Sequence, residues 1–180
     1  KGVGTFKTRD RFVGAHISRD NTATPDGSFC LKLTNEIHGG NFSSTVFDQP
    51  FDVREYGTMT FDYRISMGVK VDFFLKVTGR WYNLRFTGDA VDYRNKDVNI
   101  ANLGAIQGVI ADDKWHTASV DLRYLLSRQT RHSRIDEIIM ANWNVGGYMK
   151  LEFGSNPRGD TYYIDNFKLT GSGNVEGEKY

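Results

Sequence analysis

Trp81 and Phe74 stand among charged and amide side chains, a setting that an apolar interior does not account for. Along residues 69–77, Val71, Phe73, Leu75 and Val77 alternate with Asp72, Phe74 and Lys76. Along residues 80–87, Tyr82, Leu84 and Phe86 alternate with Trp81, Asn83 and Arg85. Successive side chains of an extended strand point to opposite faces, so each run separates into an apolar side and a mixed side. Thr78-Gly79 between them reads as a two-residue hairpin turn, which sets Lys76 opposite Trp81, Phe74 opposite Asn83 and Asp72 opposite Arg85. On residues 58–66, Phe61, Tyr63 and Ile65 join the apolar side and leave Thr60, Asp62 and Arg64 on the other. The expectation is three neighbouring strands presenting one mixed surface.

Flat aromatic rings bordered by carboxylates, amides and cations suit a sugar, whose C–H face stacks on a ring while its hydroxyls meet donors and acceptors. Trp81 and Phe74 are the candidate platforms. Asp72, Asn83, Arg85, Lys76, Asp62 and Arg64 are the candidate partners for hydroxyls. Trp143, between Asn142 and Asn144, is a further candidate platform, with a core position as the alternative. Burying ~50 Å² of sugar on one ring yields only ~1–2 kcal/mol at about 25 cal/mol per Å², so several subsites are required. The competing reading of the same residues is a solvated sheet face with an Asp72–Arg85 ion pair worth under about 1 kcal/mol. Two large rings on a wet face weigh against it.

Catalytic chemistry finds less footing. The histidines His16, His38, His116 and His132 are scattered, with no His-Glu-x-x-His or Cys/His spacing for zinc. No Gly-x-Ser-x-Gly elbow or phosphate loop is present. Asp136 and Glu137 are adjacent, so alternation sends them to opposite faces, a poor start for a glycosidase pair. The strongest enzyme alternative is a polysaccharide lyase, which needs a Tyr or His base beside an Arg or Asn. Tyr82, Arg85 and His116 are of the right types. A glycoside hydrolase domain or a protein-adhesion sandwich stays open as well.

The elements that must hold these residues are short alternating runs bounded by Gly, Asn, Asp and Pro, the pattern of an antiparallel sandwich or barrel. Expected strands are 11–18, 29–34, 41–47, 58–66, 69–77, 80–87, 115–122, 135–145, 148–153 and 161–169. Residues 89–113 read as a long connection with one short strand near 108–111, and 121–126 as a short helical turn. The 180 residues suit one domain. Lys and Arg number 23 against 22 Asp and Glu, so the uniformly basic surface of a nucleic-acid binder is absent. No apolar stretch is long enough to span a bilayer and no signal peptide opens the chain. Cys30 cannot form an intrachain disulfide and reads as a buried small hydrophobe.

Three segments resemble a known family. Tyr162-Tyr163-Ile164-Asp165-Asn166-Phe167-Lys168-Leu169 is similar to the closing strand of jelly-roll carbohydrate-binding modules. Residues 26–33, with Gly27-Ser28 and Leu31-Lys32-Leu33, resemble their early Gly-Ser strand, and residues 114–122 their middle Trp-to-Asp-Leu strand. The resemblance implies an all-β, two-sheet antiparallel β-sandwich of the jelly-roll, galactose-binding-like kind over residues 1–170, with 171–180 as linker or tail. It further implies a non-catalytic, monomeric module that binds polysaccharide and is tethered to a secreted polysaccharide-degrading enzyme. Arg and Lys on the mixed face favour an anionic glycan slightly. By the same resemblance Asp165 and Asp26 would help hold a structural calcium, although Lys7 stands where a further acidic ligand is usual.

Overall fold

In a computed structural model, residues 7–8, 15–24, 27–36, 43–90, 100–143 and 156–171 are described. Their strands are β1 (Lys7–Thr8), β2 (Ala15–Asp20), β3 (Cys30–Asn35), β4 (Ser44–Phe47), β5 (Phe51–Asp52) and β6 (Thr58–Ser66). The series continues with β7 (Asp72–Val77), β8 (Arg80–Arg85), β9 (Ala101–Ala105), β10 (Asp112–Asp121), β11 (Arg134–Ala141) and β12 (Thr161–Thr170). One short helix, α1 (Leu122–Ser127), follows β10, its first turn capped by Asp121, whose Oδ1 accepts from the Tyr124 amide at 2.8 Å.

The strands form two sheets, as expected for an all-β sandwich. The seven-stranded sheet runs β1-β4-β11-β7-β8-β9 with β5 beside β11, and the five-stranded sheet runs β10-β6-β12-β3-β2. Every described pairing is antiparallel except β8 with β9. The tight turn between β7 and β8 holds because Thr78 and Gly79 both take positive φ, 49° and 81°, matching the right-handed twist of the flanking strands.

Alternation fills the space between the sheets. Phe61, Tyr63 and Ile65 of β6 face Phe73, Leu75, Tyr82 and Leu84 of the hairpin, all of them buried. Phe86 closes this layer with its ring centroid 5.0 Å from Tyr63 and 5.6 Å from Phe61, both edge-on, a geometry that suits the ring quadrupoles. Cys30 is a buried free thiol, and burial pushes its pKa up.

Several boundaries depart from expectation. The strand expected near 108–111 is a turn at Gln107 and Gly108, and pairing is made instead by β9, which joins β8 in parallel. Strands β1 and β5 were not expected at all, because two-residue pairings carry no alternation to read. The proposed strand at 148–153 lies outside the described residues, as do residues 91–99 of the 89–113 connection and the tail after Gly171.

The largest correction concerns β6, which belongs to the five-stranded sheet and is not a neighbour of β7. Residues 67–71 carry the chain from one sheet to the other, and Val69 and Val71, both buried, anchor the crossing in the interior. Strands β6, β7 and β8 therefore do not present one mixed surface.

Candidate functional site

The outer face of the seven-stranded sheet is built row by row from the register. Glu137 of β11 sits opposite Lys76 of β7, and Lys76 opposite Trp81 of β8. In the next row Ile139 faces Phe74, Phe74 faces Asn83, and Asn83 faces Asn102 of β9. Ala141 opposite Asp72 forms the third row. The hairpin register is thus the one its turn dictated.

This face is apolar beneath and aromatic above. Phe74, Ile100, Ile139 and Ala141 form a small buried cluster separate from the main core, and Trp81 and Trp143 pack onto it half-buried. Phe74 is fully buried, so it is a floor and not a platform. The Trp143 ring covers it at 5.0 Å between centroids. Trp143 meets Trp81 edge to face, 5.2 Å apart at 83°, and the Lys76 ammonium lies 5.7 Å from the Trp81 ring centre. The exposed parts of two indoles set at right angles, with Lys76 and Glu137 alongside, make a corner for an apolar ring edged with polar groups.

Asp72 and Asn83 lie beneath this surface. Asp72 is 7% exposed and Asn83 1%. The Asp72 Oδ1 accepts from the amides of Phe86 at 2.7 Å and Gly88 at 2.9 Å, and its Oδ2 accepts from Asn83 Nδ2 at 3.2 Å. Burial raises the carboxyl pKa, and those three hydrogen bonds oppose the rise. Among the described residues Asp72 and Arg85 make no ion pair, so the expected exposed pair is replaced by a buried carboxylate that ties down the chain after β8. Gly88 is required there, since a Cβ at that position would collide with the Asp72 carboxylate. Arg85, half-buried, stays on the outer face at the edge of the corner.

Asp62 and Arg64 sit on the opposite side of the molecule. Arg64 is bound by Asp113 through both carboxylate oxygens, at 3.1 and 3.0 Å, and lies over the Tyr163 ring at 5.3 Å, with Lys32 over the same ring at 5.9 Å. Asp62 accepts from Thr117 Oγ1 at 2.6 Å and from Asn166 Nδ2 at 2.8 Å. Asp62, Thr117 and Asn166 border a hollow of about 470 Å³ whose other walls include Trp115, His116 and Asp165. Sequence reading missed Ile100, Ile139, Glu137 and Asn102 of the first face and Trp115, Thr117 and Asn166 of the second. For β11 the signal was present, because alternation puts Glu137, Ile139 and Ala141 on one side; what could not be read was which strand lay beside β7.

The lyase trio does not assemble. Tyr82 is buried between the sheets, Arg85 is on one outer surface, and His116 belongs to the other sheet, where its Nε2 lies 2.7 Å from Asp112 Oδ1.

Of the two residues implied for calcium, Asp165 is among the described residues and Asp26 is not. Asp165 has Asp62 directly opposite, but both Asp62 oxygens already accept hydrogen bonds and Asp165 Oδ1 accepts from the Asn166 amide at 2.7 Å. Calcium takes six to eight oxygens, and no group of three or more acidic, His or Cys side chains among the described residues is placed to hold a metal.

The sequence matches no protein-family model and none of the curated proteins. Solved structures do match. The family 30 carbohydrate-binding module of the cellulosomal cellulase Cel9D-Cel44B of Clostridium thermocellum aligns over 97% of this chain and 95% of its own length, with a TM-score of 0.54 and 15% identity. The module CtCBM11 aligns over 94% of this chain and 88% of its own length, at a TM-score of 0.46 and 12% identity. The glycoside hydrolase domain of Endo-D from Streptococcus pneumoniae R6 aligns over 94% of this chain but 22% of its own length, at 0.48 and 10%. The first of these likenesses establishes the β-sandwich fold.

Proposed function

We propose that this chain is a non-catalytic polysaccharide-binding module whose sugar-receiving surface is the Trp81–Trp143 corner of the seven-stranded sheet. The observation that carries the reading is the pair of half-exposed indoles held at 83° on a buried apolar floor. A sheet covered only by water gains nothing from such a pair, whereas a pyranose ring lies on one indole and abuts the other. Two rings supply roughly 2–4 kcal/mol at about 25 cal/mol per Å², so hydrogen bonds donated by Lys76, Arg85 and Asn102 and accepted by Glu137 must complete the affinity. The likeness of fold to a carbohydrate-binding module supports the same reading.

Lys76 and Arg85 beside the indoles favour a glycan bearing carboxylates or sulfates over a neutral one. Tethering to a secreted polysaccharide-degrading enzyme is part of this proposal, since such a module contributes by raising the effective concentration of its partner at the substrate. No helix among the described residues is long and apolar enough to cross a membrane.

Affinity electrophoresis against a panel of soluble neutral and acidic polysaccharides tests it. Trp81→Ala should weaken retention at least about tenfold, equivalent to 1.4 kcal/mol. The variant should remain folded, because the ring is only half-buried. Retention equal to that of the parent would remove the corner from the site.

A further inference from the structure

We infer that the hollow on the outer face of the five-stranded sheet is a second saccharide site, one that takes a single neutral pyranose through its hydroxyls. It stands independently of whether the indole corner on the other face binds glycan.

The hollow is made by three strands. Asp62 of β6 pairs with Thr117 of β10 on one side and with Asp165 of β12 on the other. Like charges directly opposite each other on a sheet are destabilising, and among the described residues neither carboxylate is in an ion pair. The bulge that follows makes the arrangement more pointed. Asn166 takes a φ of 48°, the register shifts between Asp165 and Lys168, and the Asn166 side chain is turned back over Asp62. Bulges re-aim side chains in this way, and this one adds an amide to a row that already carries a hydroxyl and two carboxylates.

Trp115 supplies the apolar wall. Its Nε1 donates to the Ala23 carbonyl at 2.8 Å, which fixes the plane of the indole before any ligand arrives. Tyr163, the neighbouring ring at 6.4 Å, has Arg64 and Lys32 against it and does not line the hollow, whereas Trp115 does, together with His116. At about 470 Å³ the space falls in the range of about 300–1,000 Å³ typical of small-ligand pockets.

The polar groups select the ligand. Asp62 accepts from neutral donors at both oxygens yet keeps a lone pair on each, spaced for two adjacent hydroxyls. Asp165 Oδ2 accepts from no described residue. A sugar hydroxyl both donates and accepts, so it uses the carboxylates together with the Thr117 oxygen and the Asn166 amide. An ammonium only donates, and a uronate or sulfate meets two carboxylates of its own sign.

The chain has three tryptophans, so Trp81→Phe/Trp143→Phe leaves Trp115 as the sole indole reporter. Titrating that variant with glucose, galactose and mannose should give a saturable change in emission for at least one. Glucuronate and lysine methyl ester should bind at least tenfold more weakly. Adding Asp165→Ala should abolish the response while thermal stability holds or rises, because the like-charge pair is relieved. If the double substitution does not fold, shifts of the Thr117 and Asn166 amide resonances in the unmodified chain give the same reading. No saturable shift with any of the three hexoses, a response that survives Asp165→Ala, or tighter binding of the lysine ester would each overturn the proposal. Polysaccharide retention that depends on Trp81 is read separately, so loss of one site leaves the other standing.

Discussion

On the seven-stranded sheet the outward residues of β7 and β11 include Phe74, Ile139 and Ala141, all buried, and the aromatic rings lie above them as a partial third layer. On the five-stranded sheet the outward row is Thr117, Asp62 and Asp165, with Thr117 and the neighbouring Asn166 donating to Asp62 and the Asn166 amide donating to Asp165. The first face offers apolar surface beside a cation, the second offers acceptors. One domain thus carries two outer surfaces of opposite physical character. Facing outward from a sheet does not make a residue wet; what lies on top decides.

The largest effect that separates the two faces is on stability. Phe74→Ala should cost about 3–5 kcal/mol, as for a buried Phe that leaves a cavity under Trp143 and beside Ile139. Tyr163→Ala, whose ring is half-exposed and held by two cations, should cost under about 1.5 kcal/mol. Denaturant unfolding of both variants measures the contrast. Equal losses would mean that the outer layer of the seven-stranded sheet is no more a core than the other face.

Much of this comparison was legible in the residues, and the missing part has a definite cause. The turn residues Thr78 and Gly79 set the hairpin, so Lys76 opposite Trp81 and Phe74 opposite Asn83 follow from the residues alone. Alternation also sorted Phe61, Tyr63, Phe73 and Leu75 to the interior. Alternation reports only which side of a strand is apolar, though, and β6 and β7 obey it equally in one sheet or in two. Asp62 and Arg64 were therefore joined to a surface from which the crossing at residues 67–71 removes them. The burial of Phe74 was hidden for a related reason. Its cover comes from Ile100, Ile139 and Trp143, far along the chain, and nothing local distinguishes a covered ring from an exposed platform.

A smaller effect concerns acid. Burial raises the Asp72 carboxyl above its unfolded value, so its favourable contribution is fully present below the unfolded pKa and is lost as pH rises through the folded one. Hydrogen bonds from Arg54, Thr22 and His116 respectively lower Asp52, Asp20 and Asp112, so theirs is present above the unfolded pKa and lost as pH falls through the folded values. The two trends oppose each other below neutrality. Asp72→Asn keeps an oxygen for the Phe86 and Gly88 amides, both of which use Oδ1, but removes the titration. Its stability should therefore fall more steeply between about pH 6 and pH 3 than that of the parent. Urea unfolding at stepped pH measures the slopes, and parallel curves would show that the carboxylate beneath the indole corner is not perturbed by burial.

The smallest expected effect is that of calcium, and it bears on what the five-stranded face is for. If Asp165 and Asp62 are acceptors for hydroxyls, replacing calcium with EDTA should leave the midpoint of thermal unfolding unchanged. Thr117 and Asn166 each donate to one Asp62 oxygen, and among the described residues no group of three or more acidic, His or Cys side chains is placed to hold a metal. A bound ion would be easy to see. At a hundred times its dissociation constant a ligand stabilises by about 2.7 kcal/mol, which for a domain of this size raises the midpoint by roughly 5–10 °C. Such a rise, abolished by Asp165→Ala or Asp26→Ala, would turn the carboxylate pair into a metal site completed by Asp26. The same rise would be accompanied by loss of the hexose response at Trp115, because one carboxylate cannot serve both partners.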